Sequence, residues 1–179
     1  MNPQTGQRPR NDLDALGLDH DSVFADAQDG ARFNNANFTL VPDGSRPRLQ
    51  RFLFTTATPF IDSAYDQEVI IHEYTHGLSG RLVDTVFGVQ AGAMGEGWSD
   101  WFGMSIFNRP PDNPHGPEVV GEYVTQDFVH GVRRYPYATD MTINPLTYER
   151  SLYRLPGLSS ARRRGDLGGH VMGSAGQVD

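Results

Sequence analysis

Residues 69–80 read VIIHEYTHGLSG, and within them His72 and His76 stand four apart with Glu73 directly after the first. On a helix, imidazoles at i and i+4 lie one above the other and can reach one tetrahedral zinc ion at about 2 Å. Glu73 beside them faces the open coordination position, where it can take a proton from zinc-bound water. So short a motif can arise by chance, and its surroundings have to decide. At about 100° per residue, Ile71, Tyr74 and Leu78 form one stripe and the histidines another. The pattern predicts a helix that buries the first stripe and presents the second.

A catalytic zinc site wants a third protein ligand from a separate segment. The stretch GAMGEGWSDWFGMSIF, residues 92–107, supplies Glu96, 24 positions after His72. Helical spacing places Glu96, Asp100, Gly103 and Phe107 on one stripe, while Trp98, Trp101, Phe102 and Ile106 cover most of the remaining circumference. This predicts a buried helix, in which a carboxylate needs a cation or a donor. Zinc satisfies Glu96. Asp100, one turn on, is placed to accept the far N–H of a ligating histidine. Gly103 marks a place where two helices approach closely.

HEYTHG followed by GEGWSD resembles the fungalysin family of secreted zinc metallopeptidases, whose catalytic lobe is in turn similar to that of thermolysin. The resemblance extends to FNNANF and PDGSRPRLQRFLF before the zinc helix and to GVRRYPYATDMTINPLTY after it, covering residues 31 to 148. It implies His72, His76 and Glu96 as zinc ligands and Glu73 as general base. It also implies that Asn35 and Ala36, on a strand at the sheet edge, bind extended substrate by main-chain pairing. Arg133 is implied as the substrate-facing member of the Arg133–Arg134 pair, a forked donor for a carbonyl or carboxylate. A solvated or intramolecular ion pair is the other reading of those arginines.

The expected fold is α+β, a thermolysin-like zincin catalytic fragment with a small edge-stranded sheet and a zinc-bearing helical core. RFNNANFTL and RLQRFLFTT read as strands of a hairpin joined by VPDGSRP, a turn with Pro, Asp and Gly. VVGEYVTQDFVHG reads as a weaker helix. The chain divides into an acidic, poorly ordered lead-in (1–30), a partial metallopeptidase catalytic domain (31–150), and an irregular tail (151–179) that reads as truncated or frameshifted. In the lead-in, Asp-rich residues 11–30 invite a calcium reading, but their spacing does not match an EF-hand loop, and a solvated acidic segment is the simpler reading. His20, His115 and His130 stand alone and read as surface histidines.

Composition sets bounds. With 179 residues, 37% hydrophobic and 21% charged, the chain suits one globular domain. A net charge of −7 argues against nucleic acid or an anionic membrane as partner. No spanning apolar run and no signal peptide is visible. Cysteine is absent, which removes both disulfides and any cysteine nucleophile.

The reading is therefore a zinc endopeptidase hydrolysing peptide bonds of extracellular proteins through a metal-activated water, with protein or peptide substrates. By resemblance it is secreted and has an inhibitory prodomain as a further partner. Two features depart from the family pattern. At the spacing where thermolysin-like enzymes carry an oxyanion-stabilising tyrosine stands Phe87, which has no hydroxyl to donate. His170 is a candidate for the second oxyanion-stabilising histidine, in a Gly-rich tail unlike the family's. A non-catalytic zinc-binding module, closed by a fourth protein ligand, and an inactive fragment of such a peptidase remain as alternatives.

Overall fold

The computed structural model describes residues 22–42, 44–83, 89–107, 113 and 115–147. Phe87, His170, the tail and the first 21 residues lie outside them. The described residues are α+β, a small mixed sheet followed by two long helices and one short one.

The first strand, β1 (Phe24–Phe33), begins inside the stretch expected to be a lead-in. It runs parallel to β3 (Arg48–Phe54), with irregularities after Asp26 and Asp29. The pairing explains why a run with two aspartates forms a strand. Arg48 takes Asp26, and Gln50 Nε2 donates to Asp29 Oδ2 at 2.7 Å. β1 therefore lies within the stretch read as the lead-in, because Asp26 and Asp29 find partners on β3. Asp26 and Asp29 are carboxylates of the calcium reading; here they hold Arg48 and Gln50, while the earlier ones lie outside the described residues.

At Asn34 the backbone enters the left-handed region (φ 56°), a conformation that Asn tolerates. Its side-chain oxygen accepts the Thr55 N–H at 2.7 Å. The chain there crosses to the other side of β3 and returns as β2 (Ala36–Thr39), antiparallel, with Ala36 opposite Arg51 and Thr39 opposite Arg48. The expected hairpin is present. β4 (Ile61–Asp62) pairs with the end of β3, and the order β1-β3-β2 leaves β2 at an edge.

The sheet positions the helices through a small core. Ala36 and Phe54 pack with Val69 of α1 (Gln67–Leu82) and Val124 of α3 (Glu122–Thr125), each contributing the transfer free energy of an apolar side chain, about 1.5–3 kcal/mol for the larger ones. After one 3₁₀ turn (Ser63–Tyr65), Asp66 caps α1, accepting the Val69 N–H at 3.2 Å. Its second oxygen accepts Val124 N–H at 3.3 Å, so the same carboxylate ties α3 to the start of α1. Two residues on, Glu68 Oε2 accepts Gly121 N–H at 3.1 Å.

The buried side of α1 is not the expected one. Val69, His72, Glu73, Thr75 and Ser79 are buried, whereas Tyr74 is 53% exposed and Ile71 and Leu78 are half-buried. Two neighbours cause this. α2 (Val89–Phe107) packs along the histidine face, and β2 lies against Gly77 and Gly80, where an added Cβ would fall 2.4 Å from the Phe38 ring and 2.5 Å from Leu40. Small residues let the strand approach, so polar and small positions are covered while Tyr74 only edges Phe38.

α2 was expected to be buried all round. It packs on α1 by one face, with Gly103 close to the Glu68 backbone as anticipated, and leaves Trp101 58% and Ile106 56% exposed. Apolar residues around a circumference show what a helix can bury; among the described elements α1 makes the main contact with α2. α3 is a single turn rather than the longer helix read over 119–131, because Gly121 and Gln126 both take positive φ and end it on either side. Among the described residues no helix is long and apolar enough to cross a membrane.

Candidate metal centre

The i, i+4 spacing on α1 brings the two imidazoles together, ring centroids 4.7 Å apart, with His76 Nε2 and His72 Nε2 separated by 3.0 Å. α2 delivers the third group. Glu96 Oε2 lies 3.2 Å from His72 Nε2, and Glu96 Oε1 lies 3.3 Å from His76 Nε2. Two ring nitrogens and a carboxylate thus converge on one point, the geometry that a shared cation relieves. Ligands held about 2.0–2.1 Å from a tetrahedral zinc ion stand about 3.3 Å from one another, so the spacing present suits that metal. Among the described residues these three form the only His, Cys, Asp or Glu group that close-set.

Asp100 is where the sequence places it. His72 Nδ1 lies 2.7 Å from Asp100 Oδ1; a carboxylate only accepts, so this nitrogen carries the proton and Nε2 faces His76 and Glu96. Arg133 arrives from the far side. Its Nε donates to Asp100 Oδ2 at 2.6 Å, and one Nη donates to Oδ1 at 2.5 Å and lies 3.5 Å from Glu96 Oε2. Arg133 is 7% exposed, its fork closes on Asp100, and it also lines the cleft. Arg134 instead stacks over Tyr135.

Arg133 reaches this position through a built turn. Gly131 (φ 63°) brings Val132 N–H to Val120 O at 2.9 Å, and Glu118 and Tyr137 exchange backbone hydrogen bonds of 2.8 Å. Tyr137, which no sequence signal singled out, then donates its hydroxyl to Asp100 Oδ2 at 2.6 Å. A residue four positions after an arginine in irregular chain carries no periodicity to mark it.

The electrostatics show a centre short of positive charge. Burial opposes charging His72, yet hydrogen bonds to Asp100 and Glu96 outweigh it and raise its pKa to about 9. Burial likewise disfavours the Glu96 charge, but the two imidazoles hold its carboxyl below the usual carboxylate range. For Asp100 burial is again overcome, by His72 and Arg133, which lower its pKa to about 2. Glu73 is different: burial pushes its carboxyl up against the pull of both histidines.

A cleft of about 590 Å³ opens onto the centre, and Asn35, Ala36, His72, Glu73, His76, Glu96 and Arg133 all line it. The proposed substrate strand, edge strand β2, is one wall. His115 and His130 are exposed and play no part; His130 pairs with Asp127.

Comparison with known proteins agrees with this geometry. A family model described as fungalysin metallopeptidase (M36) matches residues 4–163. An extracellular metalloproteinase of Pyrenophora tritici-repentis is 40% identical over 155 residues, 83% of this chain and 23% of that protein. One from Aspergillus fumigatus is 41% identical over 138 residues, 74% of this chain and 22% of its own length. A third, from Fusarium vanettenii, is 40% identical over 164 residues, covering 88% and 25%. The chain spans about a quarter of the length of the curated relatives it matches. With residues 4–163 matched by the family model and relatives about 40% identical over most of the chain, the chain belongs to the fungalysin metallopeptidase family.

Proposed function

We propose that this chain is the metal-bearing part of a zinc endopeptidase with a thermolysin-like zincin fold, acting on extended protein or peptide substrates outside the cell. The convergence of His72 Nε2, His76 Nε2 and Glu96 at 3.0–3.3 Å carries the reading. Among the described residues no fourth protein ligand completes the group, which favours the open coordination of a catalytic site over a closed structural one. Zinc held there supplies Lewis-acid polarisation of a scissile carbonyl and a water of lowered pKa.

The chain's own residues do the rest. Glu73, beside the ligands and buried, accepts the proton of the attacking water and returns it to the leaving amine. Asp100 holds the His72 tautomer that leaves Nε2 free to ligate. β2 is an edge strand, and Asn35 just before it and Ala36 at its start line the cleft, where this stretch of main chain would pair with an extended substrate. Arg133, already held by Asp100, presents the rest of its guanidinium to the cleft. Catalytic-domain residues on this reading run from β1 to about residue 150, and relatives named extracellular metalloproteinases support action outside the cell.

The test is cleavage. A version extended to the length of its relatives should cut an unfolded protein, and a zinc chelator should stop it. An extended protein that holds zinc and cuts none of several substrates returns the reading to a non-catalytic module.

A further inference from the structure

Asp100 is 1% exposed, and four hydrogen-bonding contacts share its two oxygens. Oδ1 takes His72 Nδ1–H and an Arg133 Nη–H; Oδ2 takes Arg133 Nε–H and the Tyr137 hydroxyl at 2.6 Å. A buried carboxylate gripped only by one arginine can still pivot about that fork. The tyrosine, donating from another direction, removes that freedom. Its backbone is tied by the reciprocal bridge with Glu118, which places the side chain's root beside Asp100. Burial, and then the Asp100 charge, push the Tyr137 hydroxyl well above its ordinary range, so it stays a donor across the working pH range.

We propose that Tyr137 is a positioning residue for the metal centre. Its hydroxyl locks Asp100 in the orientation that receives the His72 Nδ1 proton, and thereby keeps Nε2 of His72 aimed at His76 and Glu96. The inference rests on the reading that those three residues hold the metal. Tyr137 touches neither metal nor substrate; it acts through Asp100 and then His72.

The experiment is Tyr137→Phe in the full chain, which removes one oxygen atom. Zinc titration should show affinity reduced about three- to tenfold, somewhat less than loss of a group bonded directly to a ligand. The ring ¹⁵N signals of His72 in the metal-free protein, recorded at a pH where the imidazole is neutral, should move toward a mixture of tautomers. In an Asp100→Ala background the same change should cost no further affinity, since its target is gone. Unchanged zinc affinity together with unchanged ¹⁵N signals overturns the proposal. So does an equal loss in both backgrounds, which marks a general structural effect. A parent chain that binds no zinc overturns the ligand reading and this inference with it, whereas a zinc-binding parent matched by Tyr137→Phe overturns only the inference.

Discussion

His72 is held from both ends: Nδ1 lies 2.7 Å from Asp100 Oδ1, and Nε2 lies 3.2 Å from Glu96 Oε2. One imidazole therefore links two carboxylates of α2 to α1, and its tautomer is set by the buried one. Asp100→Ala removes that constraint. Zinc affinity should fall about 10- to 100-fold without vanishing. An isotherm identical to the parent's would mean that Asp100 serves only as a counterion for Arg133.

His76→Ala leaves two of the three proposed ligands. Metal analysis after dialysis should find one zinc per parent chain and none in the variant. Undiminished zinc in the variant sinks the ligand assignment.

Glu73→Gln keeps the side chain's shape and removes its ability to accept a proton at neutral pH. In the protein extended to its relatives' length, zinc content should stay and peptide hydrolysis should fall to near zero. Cleavage at the parent's rate would show that another group takes the proton.

Gly131 combines a positive φ with a Cβ position only 2.0 Å from the Val120 carbonyl oxygen. That oxygen accepts the Val132 N–H, so the link that delivers Arg133 must open if a side chain is added. Gly131→Ala should destabilise by about 2–4 kcal/mol in urea unfolding, left-handed strain and overpacking together. Gly97→Ala, in α2 with nothing within 4 Å, should instead stabilise by about 0.5–1 kcal/mol. Matching signs for the two would contradict the packing described.

Glu68 gives the pH dependence a sign. Burial, and repulsion from Glu122, Asp66 and Glu118, outweigh the Gly121 hydrogen bond and raise its pKa from the usual 4.5 to about 7. The folded state holds this proton more tightly than the unfolded one, so the contribution is complete below about pH 4.5 and is lost as pH rises through about 7. Replacing the carboxyl by an amide removes the titration. Relative to the parent, Glu68→Gln should gain stability steadily from pH 4.5 to 7.5 in denaturant titrations. A constant difference across that window would count against the raised pKa.

Local geometry explains what was readable. The i, i+4 histidines with Glu73 follow from helix pitch alone. Glu96 and Asp100, one turn apart, are likewise a local pattern on α2, and the hairpin announces itself by strand-like residues around a Pro-Asp-Gly turn. The family resemblance rested on these same segments.

What the local pattern missed are relationships between distant segments. β1 forms because Asp26 and Asp29 meet Arg48 and Gln50 on a neighbouring strand, and nothing within residues 24–33 shows that partner. The buried side of α1 was decided by Gly77 and Gly80 against β2, which covers polar and small positions in preference to Tyr74.

The sequence by itself determined which residues can ligate a metal and on which helices they sit, since ligand type and turn-to-turn spacing are properties of a single segment. Only the tertiary structure decided that Glu96 closes to 3.2 Å on His72, that Arg133 turns its fork inward to Asp100, and that Tyr137 completes that grip. Those facts depend on how α1, α2 and the chain after α3 pack. Such packing is fixed by contacts tens of residues apart, which no periodicity records.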